Sequence, residues 1–283
     1  MFSKLQVKED PKELVLIIRN DGTTAVKYDC LDNYEVYTLC RYELFYEYIE
    51  DLIKRKWKKI TIINIFNSFR SLIVLLKRLY LVNVELSSNQ EFSEPQSVPN
   101  TKLTNCALSL GLQFINILPH SLLEPDLLAP ESVMIQQYLR FVDLKHGANL
   151  ISTKDIASVL ENPTKLIAQS LNVQPIIDTS QPLSLIIPSS WDSFNKITLL
   201  AKSSIYDDDR LLGSENDCNQ LNMLYDSGFD GTDADMEMLL GRFEPLSHPQ
   251  DVSRNPKELL TLNEMLKKAH QIAQNNHNRE VLQ

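Results

Sequence analysis

Lys59–Phe66 reads KITIINIF. The segment is β-branched and apolar almost throughout, the composition of a strand buried on both faces in a parallel sheet. Directly downstream the period changes. Asn67 and Ser68 supply a helix cap, and Phe69, Leu72, Ile73, Leu76, Leu79 and Tyr80 recur at helical spacing. Ser87–Lys102 is a polar, proline-containing loop, and Leu112–Leu118 (LQFINIL) is a second apolar strand. Glu131–His146 follows as a helix, with Met134, Ile135, Tyr138, Leu139 and Val142 on one face and Gly147 just past its end. Ala148–Ser152 is a short strand, Thr164–Leu171 a helix behind Pro163, and Leu183–Pro188 (LSLIIP) the strand that closes the series. Strands alternating with helices predict a three-layer α/β domain with a mainly parallel sheet, over roughly residues 10–200.

Upstream of this series, Leu14–Ile18 and Glu35–Leu39 both read as strands. Between them, Arg19–Tyr28 carries an Asp-Gly turn signal, which predicts a hairpin-like antiparallel excursion.

Charge is unevenly distributed. The net charge is −9 over 283 residues, yet Ser203–Glu244 holds eleven acids against Arg210 and Arg242, which leaves the rest neutral. A neutral body with an acidic segment argues against nucleic-acid or anionic-membrane binding, which needs a basic face. The basic run Lys54–Lys59 (KRKWKK) leads into the first apolar strand and reads as a solvated helix end. No apolar run approaches the ~18 residues of a membrane span. The start MFSKLQVKED lacks the apolar region of a signal peptide, so a cytoplasmic setting is expected. Cys30, Cys40, Cys106 and Cys218 are scattered, without the clustering that zinc or dithiol chemistry requires, and read as reduced thiols.

Catalytic and cofactor patterns are scarce. Asn20–Thr24 has one glycine and no lysine before its Thr pair, so it departs from a phosphate loop. Only Ala25–Asn33 separates it from the strand near Tyr34, too short for a phosphate-binding helix and its return. Asp226–Glu237 (DSGFDGTDADME) partly fits a calcium loop, but Gly228 at position 3 offers no side-chain oxygen and Asp233 stands where an apolar anchor belongs. A flexible acidic connector accounts for the same residues. The five histidines show no HExxH spacing, and no nucleophile elbow occurs. No catalytic residue, cofactor or metal is therefore expected. Trp191, in PSSWDSF, is read either as a contact hot spot or as a cap on the core.

The tail carries an interaction signal. Asn255-Pro256-Lys257-Glu258 opens a helix, and Leu259, Leu262, Leu266, Ala269 and Ala273 follow 3-4-3-4 spacing, widened by Leu260, Met265 and Ile272. Two occupants suit such a face, a partner protein or the chain's own domain. The expected organisation is a domain over residues 1–202, an acidic extension over 203–254, an amphipathic helix over 255–275 and a tail over 276–283.

In their order, these segments resemble the dynein light intermediate chain family. Pro188–Leu200 (PSSWDSFNKITLL) is similar to that family's proline, small-residue pair, Trp-Asp and Lys-Ile at the close of its α/β domain. Ile135–Lys154 resembles its last helix and strand, Leu103–Glu124 the segment entering the strand that in GTPases ends in the guanine-reading motif, and KKITIINIF the strand before. The resemblance covers about residues 34–200. It implies a degenerate Ras-like domain, non-catalytic, that binds the tail of the dynein heavy chain on microtubules. It also implies a C-terminal helix that meets a cargo adaptor or cortical anchor. Partner-contacting candidates are then Trp191, Leu259, Leu262, Met265 and Leu266. Leu118-Pro119-His120-Ser121 stands in place of the guanine-reading motif, which implies a diverged, nucleotide-free member. The alternatives are a GTPase-like nucleotide switch and a Ras-like scaffold of an unrelated complex.

Overall fold

The structure is a computed structural model that describes residues 12–20, 26–31, 33–89, 108–123, 130–170, 175–178, 184–203 and 210–243. Its centre is an eight-stranded sheet. The strands are β1 (Glu13–Arg19), β2 (Val26–Leu31), β3 (Tyr34–Cys40), β4 (Lys59–Ile65), β5 (Gln113–Pro119), β6 (Asn149–Thr153), β7 (Ile176–Asp178) and β8 (Ser184–Ile187), in the order β2-β3-β1-β4-β5-β6-β8-β7. Strands β3, β1, β4, β5 and β6 are mutually parallel, as their apolar composition requires. With an antiparallel β2 outside β3, this is the strand order of a Ras-like fold.

At the two edges of the sheet the strand directions are antiparallel. Strands β1 and β3 are parallel, so the segment between them is not a hairpin joining the two. The antiparallel excursion exists, but it is β2 turning back on β3 in a register that sets Tyr28 opposite Tyr37. The closing strand β8 runs antiparallel to β6 and forms a hairpin with β7 at the far edge.

Helices cover both faces. Leu14, Leu16, Ile18, Leu39, Ile62, Phe114 and Leu118 point into the main core, beneath α1 (Tyr46–Lys54), α2 (Phe69–Asn89) and α3 (Pro130–His146). Val15, Ile17, Val36, Ile63, Ile115 and Ile117 point the other way, toward Leu160 of α4 (Ile156–Glu161) and Leu166 and Ile167 of α5 (Pro163–Ser170). The strict alternation along β1 and β5 is the pleat of a strand buried twice. Local signals act as read: Ser68 Oγ accepts from Ser71 N at 3.3 Å at the start of α2, and Gly147 ends α3 at φ 70°. The basic run follows the last turn of α1, where Lys54 lies 2.9 Å from Glu85.

The acidic stretch is the main departure. Beyond α6 (Phe194–Ser203) it forms α7 (Glu215–Asp230) and α8 (Asp233–Phe243), and both of these helices are packed on the core. Cys218, Leu221, Tyr225, Phe229, Met236, Leu239, Leu240 and Phe243 are buried there, while Asp217 and Asp235 act as caps and Asp226 accepts from Lys145. A Ser214–Asp217 capping box starts α7, and Thr232 with Asp235 starts α8. The acidic segment is thus a folded layer outside α2 and α3, and its partial calcium-loop pattern is a helix–turn–helix. Residues 255–283 lie outside the described residues.

Candidate interaction surface

In a doubly wound sheet, ligands sit beyond the carboxyl ends of the strands where the order reverses. Here the reversal falls at β1, with β3 on one side and β4 on the other. Asn20, just past β1, donates through Nδ2 to Glu43 Oε1 at 3.0 Å, and Ser71 Oγ of α2 meets the same oxygen at 3.3 Å. Glu43 lies in the turn Tyr42–Leu44 that follows β3. A carboxylate therefore bridges three elements at the switch point. Asp21–Ala25, the rest of the loop, lies outside the described residues. At the guanine-reading position Leu118 and Pro119 are buried at the end of β5, followed by a short turn at His120–Leu122.

The Pro188–Ser193 turn is a built junction. Trp191 N donates to Pro188 O at 3.0 Å, and Ser189 N donates to Asn149 Oδ1 at 3.0 Å, which fastens the turn to the start of β6. Asp192 accepts two parallel bonds from Arg140 of α3, from Nε at 2.7 Å and from Nη2 at 2.6 Å. The two side chains are only 7% and 4% exposed, so this is a desolvated bidentate pair. Ser193 Oγ then caps α6 by accepting from Lys196 N at 3.4 Å. Lys196 Nζ sits 3.7 Å from the centroid of the Trp191 ring and donates to Trp191 O. Trp191 is partly buried against the main core, with a lysine over one face of its ring.

Behind this junction runs a buried polar ladder. Asn64 Nδ2 of β4 donates to Asn116 Oδ1 of β5 at 2.7 Å, and Asn116 Nδ2 donates to Asp143 Oδ1 of α3. Asp143 Oδ2 has no hydrogen-bond partner. Burial pushes the Asp143 carboxyl up to about 8, the nearby Asp192 adds to the rise, and the Asn116 bond opposes it. The other polar residues of α3 reach outward. Gln137 Nε2 donates to Ile197 O at 2.9 Å and Leu212 O at 3.0 Å, while its Oε1 accepts from Leu212 N at 3.0 Å. Lys145 Nζ donates to Asn222 Oδ1 at 2.8 Å and to Asp226 Oδ1 at 2.5 Å. His146 lies 2.8 Å from Leu108 O through Nδ1 and 2.9 Å from the Tyr225 hydroxyl through Nε2. Burial holds this imidazole down at about 3, so it is neutral: Nδ1–H donates to the carbonyl and Nε2 accepts from Tyr225.

Among the described residues, no group of three or more His, Cys, Asp or Glu is placed to hold a metal, and no helix is long and apolar enough to cross a membrane. Exposed large apolar side chains occur on β2 (Val26, Tyr28, Leu31), α2 (Leu81, Val84), α6 (Leu199), α7 (Met223) and α8 (Met238).

The chain is similar to a dynein light intermediate chain domain. The solved structure is a crystal structure of that chain's conserved domain, with 18% identity and a TM-score of 0.49 over 76% of this chain and 91% of that chain. No protein-family model and no curated protein matches the chain.

Of the residues singled out by sequence, Trp191 is the one described, while Leu259, Leu262, Met265 and Leu266 fall outside the described residues. The sequence reading passed over Arg140, Asn64, Asn116 and Asp143. A signal for two of them was present, since both apolar strands carry the same Ile-Asn-Ile and the structure sets Asn64 directly opposite Asn116.

Proposed function

We propose that this chain is a non-catalytic subunit of the dynein motor complex, of light-intermediate-chain type. Its α/β body serves as a platform for the tail of the dynein heavy chain. The segment around Leu259, Leu262, Met265 and Leu266 engages a cargo adaptor or cortical anchor by laying an amphipathic face into a groove. The protein works in the cytoplasm, on microtubules through the motor, without a resident cofactor, and Trp191 contributes by holding the turn that presents the platform.

The observation that supports this reading is the Pro188–Ser193 turn. The residues by which the sequence most specifically resembles the family, Trp191 and Asp192, are those that lock β8, α3 and α6 together through Arg140 and Lys196.

The test is affinity purification of the tagged full-length chain from its native cells, with copurifying chains identified by mass spectrometry. A stoichiometric dynein heavy chain is expected, with no guanine nucleotide released on denaturation. A defined complex lacking any dynein chain overturns the assignment, and a retained guanine nucleotide with turnover points to a switch instead.

A further inference from the structure

The sheet ends at β2, which among the described residues has one neighbouring strand, β3. A strand edge carries N–H and C=O groups that pair with another strand when one is offered, and proteins usually blunt it with charge. Here the blunting charges have a symmetry. Lys27 and Asp29 flank Tyr28, lie on one face of the strand 2.8 Å apart, and are 71% and 45% exposed. On the other face Tyr28, 51% exposed, ends an aromatic row that runs inward through Tyr37 at 4.9 Å to Tyr48 of α1 at 6.3 Å. Val26 and Leu31 are also exposed, at 38% and 43%.

We propose that the β2 edge is a self-association surface on which a second copy of this chain pairs antiparallel, with the two-fold axis at Tyr28. In that register Lys27 faces Asp29 of the other copy, Asp29 faces its Lys27, and Val26 faces its Cys30. The charges that repel an arbitrary strand become two equivalent opposite-charge pairs across the axis. The two Tyr28 rings meet on the opposite face and join the aromatic rows of both copies. The register works in either hydrogen-bonding phase. If Tyr28 points its backbone groups outward, it forms the bonded pair with itself, and if Lys27 and Asp29 do, they form two bonded pairs with each other. Shifting the register by one residue sets tyrosine against a charge, so the edge prefers itself in one alignment. The occupant is therefore a second copy of the chain. This goes beyond the proposed subunit role and does not depend on it.

The test uses sedimentation velocity on the full chain, from micromolar to hundreds of micromolar. The wild type is expected to shift from monomer toward dimer as concentration rises. Lys27→Asp and Asp29→Lys, each checked for native circular dichroism, are each expected to weaken association roughly tenfold or more, since every cross-axis pair becomes like-charged. Mixed together they are expected to form a heterodimer at least as tight as the wild type. The strand with two acids then lies opposite the strand with two lysines, so both cross-axis pairs are again of opposite charge. A wild type that stays monomeric throughout overturns the proposal. So do single variants that associate like the wild type, and so does a mixture of the two that stays monomeric.

Discussion

Asp143 and His146 sit one helical turn apart in α3, both buried, and burial moves their protons in opposite ways. The Asp143 carboxyl is raised from 3.8 to about 8, so between those values the folded state holds a proton that the unfolded chain has released. Stability therefore falls as pH rises across that window, by at most about 1.4 kcal/mol per pH unit. The His146 imidazole is lowered from 6.5 to about 3, so between those values the unfolded chain holds the extra proton and stability falls as pH drops. The two slopes oppose each other between about 4 and 6.5 and leave Asp143 acting alone from there to 8. Urea unfolding is expected to show a plateau below pH 6.5 and a loss of roughly 2 kcal/mol by pH 8. Asp143→Asn keeps the bond from Asn116 and should abolish that loss, exposing a stability that rises with pH until about 6.5. Beside Asp143, the Arg140–Asp192 pair predicts non-additivity. Asp192→Ala strands a guanidinium that is 7% exposed and should cost about 3–5 kcal/mol, whereas replacing both partners by apolar residues should cost less than the single change.

At the scale of elements, two glycines test how α7 and α8 dock. A Cβ on Gly228 of α7 would lie 2.7 Å from Leu239 Cδ2 and 2.9 Å from Leu239 Cβ of α8, and Gly228 O also accepts from Lys77 of α2 at 3.2 Å. Gly228→Ala should push the two helices apart, at about 1–3 kcal/mol, with hydrogen exchange rising first in α8. Gly241 of α8 has nothing within 4 Å of the same position, so Gly241→Ala should stabilise by up to about 1 kcal/mol through helix propensity alone. Opposite shifts in melting temperature from the same substitution at these two positions would check the packing directly. The same helices show what sequence reading reached. β4, β5 and α3 were legible because their apolar periods are set locally. In α7 and α8 the periods were equally present, with Cys218, Leu221, Tyr225 and Phe229 at spacings of three and four, yet the acids around them dominated the composition. The role of Asp192 was hidden for a different reason: its partner Arg140 lies 52 residues away and on another element. The excursion that became β2 was legible from its turn signal, but its bounds were not, because an edge strand exposed on both faces has no apolar alternation to read.

For the whole molecule, the position of the domain boundary has a consequence. Sequence composition set it near residue 202, but the first compact unit runs to Ser247. The reason is α3, a helix several of whose buried polar side chains find partners beyond residue 202. Leu212 meets Gln137, Asn222 and Asp226 meet Lys145, and Tyr225 meets His146. Ending the chain after Ser203 leaves Lys145 and His146 without those partners and uncovers Phe69 and Tyr138, which pack on Phe243 at 5.1 and 5.2 Å. Each buried polar group so stranded costs about 1–3 kcal/mol, more for the charged Lys145, against a total stability of about 5–15 kcal/mol for a domain. A chain ending at Ser203 is therefore expected to be insoluble or to melt without a cooperative transition. A chain ending at Ser247 keeps every one of these contacts and should unfold in a single transition by calorimetry. If the shorter chain melts as cooperatively as the longer one, α7 and α8 are an appendage, and the burial of α3 does not depend on them.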